Sequence, residues 1–209
     1  MPSQRLGKIL FATSNPHKIR EVGEVLGASG CSIAGLDSLN ESFPEPLEDG
    51  DSFEDNARIK ALGYAQSTGM SCLAEDSGLE VDALGGAPGV HSARYSGISG
   101  DRASVDRANN EKLIDAVAGM SPSELSARFV CAMCWVSATG EVLGETRGVY
   151  EGLITTEPRG ENGFGYDPLL WLPDVGKTSA ELAPEEKNAR SHRGAATRAM
   201  LQLMLAQNG

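Results

Sequence analysis

No stretch of this chain approaches the roughly 20 consecutive apolar residues that a membrane span requires, and Met1–Gly7 lacks the apolar core of a secretory leader. The expectation is a cytoplasmic protein with no membrane partner. Cysteine is scarce. Cys31, Cys72, Cys131 and Cys134 in 209 residues do not make the dense framework of a short secreted domain, so reduced thiols are expected. Basic residues are outnumbered, 18 Lys and Arg against 29 Asp and Glu, for a formal net charge of -11. A surface of that sign repels polyphosphate and argues against nucleic acid as a partner. Phosphate chemistry, if present, belongs in a small site where local cations and a bound metal ion overcome the background field. A P-loop is missing, because Gly-x4-Gly-Lys-Ser/Thr does not occur, and Gly163-x-Gly165 lacks the third glycine of a dinucleotide fingerprint. Internal repeats and low-complexity tracts are also lacking.

What remains is an ordinary globular composition, 40% apolar and 22% charged, of a size for one domain spanning 1–209. Lys8–Ala12 reads as a buried strand followed by a capping turn at Thr13-Ser14-Asn15-Pro16 and a helix from Pro16, with Ile19, Val22, Val25 and Leu26 as its buried stripe. Ser52 and Asp55 have capping-box spacing for a helix that runs to Gly69. Cys72-Leu73-Ala74 reads as a short strand, and Leu79 and Val81 as a second strand with one wet face. A helix fits Ala103–Val117. Arg128–Val136 and Glu141–Ile154 read as neighbouring strands, and His192–Ala206 as the last helix. Helices and strands alternate, but the paired strands interrupt the pattern, so a mixed α/β sheet is expected rather than a fully parallel one. Cys131-x-x-Cys134 is set aside as a zinc site, because residues three apart on a strand face opposite ways.

Several segments could carry chemistry, each beside a plainer structural reading. Thr13-Ser14-Asn15-Pro16-His17-Lys18 joins a strand to a helix, whose free N-H groups would make an anion site. Lys18 opposes the helix dipole there, which suggests a bound anion, although a lysine pointing into water costs little. Acids crowd the helix start after Glu48, as ordinary capping would have them, but polar Asn56 and Lys60 share a face with alanines. Glu75-Asp76-Ser77-Gly78 follows a buried strand, where adjacent acids would face the crevice of an open sheet and suit Mg2+; Asp-Ser-Gly is also a common turn. Gly163-Phe164-Gly165-Tyr166-Asp167 leaves room for a flat ring to stack and offers Asp167 as an acceptor. Lys187, His192 and Arg193 stand just ahead of or at the last helix, where a solvated helix start is the alternative.

Together these segments, with Ser52-Phe53-Glu54-Asp55-Asn56-Ala57, Ala83-Leu84-Gly85-Gly86-Ala87-Pro88-Gly89 and Glu186-Lys187-Asn188, resemble the inosine/xanthosine triphosphate pyrophosphatase family over nearly the whole chain. The resemblance implies an elongated central sheet flanked by helices, two lobes with a nucleotide cleft between them, and a homodimer. It implies hydrolysis of deaminated purine nucleoside triphosphates (ITP, dITP, XTP) to the monophosphate and pyrophosphate. It also implies that Thr13 to Lys18 hold phosphates with Ser77, that Glu48 and Asp76 bind Mg2+ with help from Glu75, and that Asp76 is the general base. Phe164 to Asp167 and Lys187 would hold the purine, and His192-Arg193 would read its 6-oxo edge. The family usually has Asp-Asp-Ser-Gly where this chain has Glu75-Asp76-Ser77-Gly78. Lys18, Lys60 and other donors would offset phosphate charge while water attacks the α-phosphorus. A pyrophosphatase of pyrimidine or modified-base preference and a nucleotide sensor that does not cut are the competing readings. A substrate panel and a magnesium-dependent pyrophosphate assay separate the three.

Overall fold

The computed structural model describes residues 9–27 and 30–207. Lys8, expected to begin the first strand, and Met1–Gly7 lie outside the described residues. In chain order the elements are β1 (Ile9–Phe11), α1 (Pro16–Gly27), β2 (Ile33–Gly35), α2 (Phe53–Thr68), β3 (Cys72–Val81), α3 (Arg102–Ala116), β4 (Ser126–Val136), β5 (Val142–Ile154), β6 (Leu170–Leu172), β7 (Lys177–Thr178), α4 (Pro184–Arg190) and α5 (His192–Gln207), with short 3-10 turns between some of them. The seven strands form one sheet in the order β2-β1-β3-β4-β5-β6-β7. β1 runs parallel to β2 and β3, whereas β6 is antiparallel to both β5 and β7, so the sheet is mixed, as expected. No helix among the described residues is long and apolar enough to cross a membrane.

Backbone contacts divide the chain into two compact units, the first Met1–Asp76, Cys131–Gly148 and His192–Gly209, the second Ser77–Val130 and Val149–Ser191. In the first, Ile9, Phe11, Leu73, Met133 and Trp135 from the strands pack on Val22 and Leu26 of α1 and on Ala196, Met200 and Met204 of α5. Burial of these side chains, about 1.5–3 kcal/mol for each large one, seats both helices on one face of the strands. α2 is fixed by its ends: the Ser52 hydroxyl accepts the Asp55 N-H at 3.1 Å, and Gly69 stops the helix in the left-handed region at φ 65°. The second unit has its own core, in which Leu79, Val81, Leu113, Phe129, Ile154 and Leu170 meet.

Two expectations change. β3 is one uninterrupted strand of 10 residues, not two short strands at Cys72–Ala74 and Leu79–Val81, because Glu75 to Gly78 stay extended. Adjacent positions in an unbroken strand point to opposite faces, so the Glu75 and Asp76 side chains leave β3 in opposite directions. Residues 184–190 form a short helix of their own, entered through Pro184 at its first turn.

Candidate active site

Asp76 closes the part of β3 that belongs to the first unit, on the face covered by α2. The Asn56 amide donates to Asp76 Oδ2 at 3.3 Å, and the Lys60 ammonium lies 3.3 Å from Asp76 Oδ1 and 3.0 Å from Glu48 Oε2. Positions 56 and 60 are one helical turn apart, which aims both at the same carboxylate. Asn56 also accepts the Gly50 N-H at 2.9 Å, so one buried amide ties the loop carrying Glu48 to the strand carrying Asp76. A side chain at Gly50 would stand 2.8 Å from Asn56 Oδ1, and the loop can lie this close only because that residue has none.

The group is short of positive charge: two carboxylates share one lysine. Burial pushes the Asp76 carboxyl up, and the Glu48 and Glu75 charges add to that against the opposing pull of Lys60 and Lys18, leaving it above the ordinary aspartate value. For Lys60, burial works against the ammonium, but Asp76 and Glu48 outweigh it and its pKa is raised. Among the described residues no group of three or more His, Cys, Asp or Glu side chains could hold a metal ion. A pair of carboxylates with surplus negative charge instead matches what Mg2+ takes, one or two carboxylates with water and substrate phosphates completing the shell. Glu48 and Asp76 therefore fit that ion.

Glu75 leaves β3 on the other face and is held by other partners. Its carboxylate is 2.5 Å from the Lys18 ammonium and 2.9 Å from Arg193 Nε, and it accepts the Cys131 thiol at 3.0 Å. Arg193, only 2% exposed, also meets Glu21 at 2.6 Å. Burial alone would raise the Glu75 carboxyl, but the charges of Arg193 and Lys18 overcome it and hold the group well below the usual carboxylate range. Cys131 thus has a hydrogen-bonding role on the face opposite its Cys134 neighbour, as the alternation of β4 requires.

The turn before α1 is built differently from expectation. The Asn15 side chain accepts the N-H groups of His17 at 3.0 Å and Lys18 at 3.4 Å, and the Thr13 hydroxyl accepts that of Asn15 at 3.1 Å. Asn15 is the helix cap, so those backbone donors are satisfied internally and do not form the free amide cradle. Ser14, Pro16 and His17 are exposed and Lys18 half-buried, which leaves side chains as this turn's means of meeting an anion.

In the second unit the loop at Phe164 is held just as tightly. Asp167 Oδ2 accepts the Phe164 N-H at 2.8 Å and meets the Lys187 ammonium at 2.5 Å, while Oδ1 accepts the Ser179 hydroxyl at 2.8 Å. Lys187 lies 5.3 Å from the centre of the Phe164 ring. Tyr166 is part of the core, with its hydroxyl donating to the Ser92 carbonyl at 2.9 Å, so it supports the loop from beneath. Gly163 has φ +85°, and a Cβ there would fall 2.1 Å from Asp167 Oδ2 and 2.7 Å from Lys187 Nζ. Gly163→Ala is therefore expected to break the Asp167–Lys187 pair and destabilise the protein by about 2–4 kcal/mol, measurable as a lowered denaturation midpoint. An unchanged midpoint would remove that pair from the account.

The sequence brings Asn56, Lys60, Glu48 and Asp76 into one group, and Phe164, Asp167 and Lys187 into another. Ser77 follows Asp76 in β3, half-buried, and His192 opens α5, buried. Glu21, Ser179 and Cys131 were not anticipated. Glu21 had a signal, an acid inside the apolar stripe of α1 beside Val22; Ser179 and Cys131 had none.

Residues 9–203 match the model of the Ham1 family. The dITP/XTP pyrophosphatase of Thioalkalivibrio sulfidiphilus is 44% identical over 93% of this chain and 97% of its own length, and that of an Exiguobacterium species is 46% identical over 91% and 93%. Among solved structures, a HAM1 protein from Coxiella burnetii superposes with a TM-score of 0.85 at 37% identity, covering 96% of this chain and all of that one. With a family match across nearly its whole length and relatives well above 30% identity, the chain belongs to the Ham1 family.

Proposed function

We propose that this protein hydrolyses deaminated purine nucleoside triphosphates, ITP, dITP and XTP, to the monophosphate and pyrophosphate. The observation that carries the reading is the half-buried pair of carboxylates, Glu48 and Asp76, on one buried lysine, in a chain whose relatives bear the name dITP/XTP pyrophosphatase. Two acids beside a triphosphate favour hydrolysis over mere binding, because a hydrolase needs a proton acceptor there.

Magnesium, held by Glu48 and Asp76, supplies Lewis-acid stabilisation of charge on the phosphoanhydride when bound. Asp76 orients a water molecule and takes its proton. A bond forms between the water oxygen and the α-phosphorus, the bond to the bridging oxygen breaks, and pyrophosphate carries away the electron pair. Its raised pKa suits Asp76 to accepting a proton. Asn56 and Lys60 hold the two carboxylate oxygens in place, so reorganisation during the reaction is small. Lys18, Ser14, His17 and Ser77 meet the phosphates through side chains. Arg193 acts through Glu75, fixing the carboxylate that positions Lys18.

Phe164 gives the purine a stacking face, and Lys187, one of whose donors is used by Asp167, offers another to the 6-oxo oxygen. Adenine would turn an amino group toward that ammonium, leaving donors unpaired at about 1–3 kcal/mol. A kcat/KM for ATP about 10- to 100-fold below that for ITP is expected. The same reading carries a single domain acting as a cytoplasmic homodimer. The test is pyrophosphate release from ITP, XTP, GTP and ATP with magnesium and with a chelator. Release from ITP and XTP, lost on chelation, is expected; equal rates for all four, or release without metal, would overturn the reading.

A further inference from the structure

Three α3 side chains that no reading above uses, Arg102, Asp106 and Asn110, are spaced four apart and so share one helix face. Asp106 Oδ2 accepts the Gly165 N-H at 2.9 Å, and the Asn110 amide donates to the Gly165 carbonyl at 3.1 Å. Both backbone polar groups of the residue next to Phe164 are thereby pinned to α3. Asp106 Oδ1 in turn meets Arg102 Nε at 2.9 Å, and the Arg102 guanidinium lies 5.6 Å from the centre of the Phe164 ring. Beside these contacts lies a hollow of about 380 Å3, lined by Phe164, Gly165, Asp106 and Asn110 among others, with Arg102 outside its lining; its volume is within the size range of small-molecule sites.

We propose that this face of α3 is a wall of the purine site, with Arg102 stacking on the base and Asp106 and Asn110 positioning Phe164. The inference rests on the reading of Phe164 as the base platform. Two cations approach that ring, but they are not equivalent. Lys187 is buried in its pair with Asp167, whereas the Arg102 side chain is 56% exposed. Arg102 can therefore lift from the ring and settle on an arriving base without breaking a buried ion pair. A planar, weakly hydrated guanidinium keeps the same chemistry on either surface, a cation against a π face. A lysine ammonium is a compact hydrated charge and does not stack in this way.

The test is steady-state hydrolysis of ITP with magnesium by Arg102→Ala, Arg102→Lys and Phe164→Leu, the last keeping apolar bulk without a π face. Arg102→Ala and Arg102→Lys should both raise KM about five- to tenfold while kcat stays within about twofold, and Phe164→Leu should raise KM at least as much. Wild-type KM in Arg102→Ala, with KM raised in Phe164→Leu, would overturn the role of α3 and leave the platform standing. Full recovery of KM in Arg102→Lys would overturn stacking in favour of charge. Wild-type KM in Phe164→Leu would overturn the platform itself.

Discussion

Asp76→Asn is expected to lower kcat by about a thousandfold or more, within the range that loss of a general base produces, while the protein folds as before. The substitution is nearly isosteric. An asparagine oxygen can still accept from Lys60, and removing the charge relieves the repulsion from Glu48 that helps raise the Asp76 pKa. In the folded protein Asp76 holds its proton more tightly than in the unfolded chain. Its contribution to stability is therefore fullest below the ordinary aspartate pKa and is lost as pH rises through the raised value. At neutral pH the neutral asparagine should leave the denaturation midpoint unchanged or slightly higher. Near-normal turnover in this variant would remove Asp76 as the base; a large fall in stability would mean that the carboxylate is a structural element.

Arg193→Met has the opposite signature, a stability effect first. Its guanidinium is the shared partner of Glu75 and Glu21. Removing one member of a buried ionic group leaves the others uncompensated, at about 3–5 kcal/mol. In a protein of 209 residues that corresponds to a Tm lowered by about 10 °C. Adding Glu75→Gln to Arg193→Met should recover part of the loss, because the stranded charge is then gone. The pH dependence follows from Glu75. Its carboxyl sits well below the usual range in the folded state, so its stabilisation is present above the ordinary glutamate pKa and fades as pH falls toward the folded value. The wild type should lose stability on acidification more steeply than the double variant. Equal Tm values for the wild type and Arg193→Met would show that this network contributes nothing to holding α5 in place.

Long, strongly patterned elements could be read from the sequence, and most short ones outside an apolar run could not. Ser52, Asp55 and Gly69 marked both ends of α2, since capping chemistry is local. β2, β6 and β7, with three, three and two residues, are shorter than any periodicity can register. The candidate site divides in the same way. Asn56 and Lys60 were recognisable as polar residues on an alanine face, but their meeting with Asp76 depends on which face of β3 that residue takes. Ending the strand at Ala74 set Glu75 and Asp76 together at its edge, when the strand runs on and its alternation sends Glu75 to Lys18 and Arg193. The capping turn before Pro16 was legible, because Asn before Pro at a helix start is a common arrangement; that the Asn15 side chain takes up the N-H groups of His17 and Lys18 was not. The α3 contacts with Gly165 carry no local signal at all, since they join residues more than 50 positions apart.

If water attacks the α-phosphorus with Asp76 taking its proton, the oxygen that the water brings ends in the monophosphate. Turnover of ITP in water enriched in oxygen-18 tests it most directly. The label is expected in the inosine monophosphate and not in the pyrophosphate, with the rate of incorporation lowered about a thousandfold or more in Asp76→Asn. Label in pyrophosphate or in orthophosphate would place the attack at another phosphorus and contradict the account.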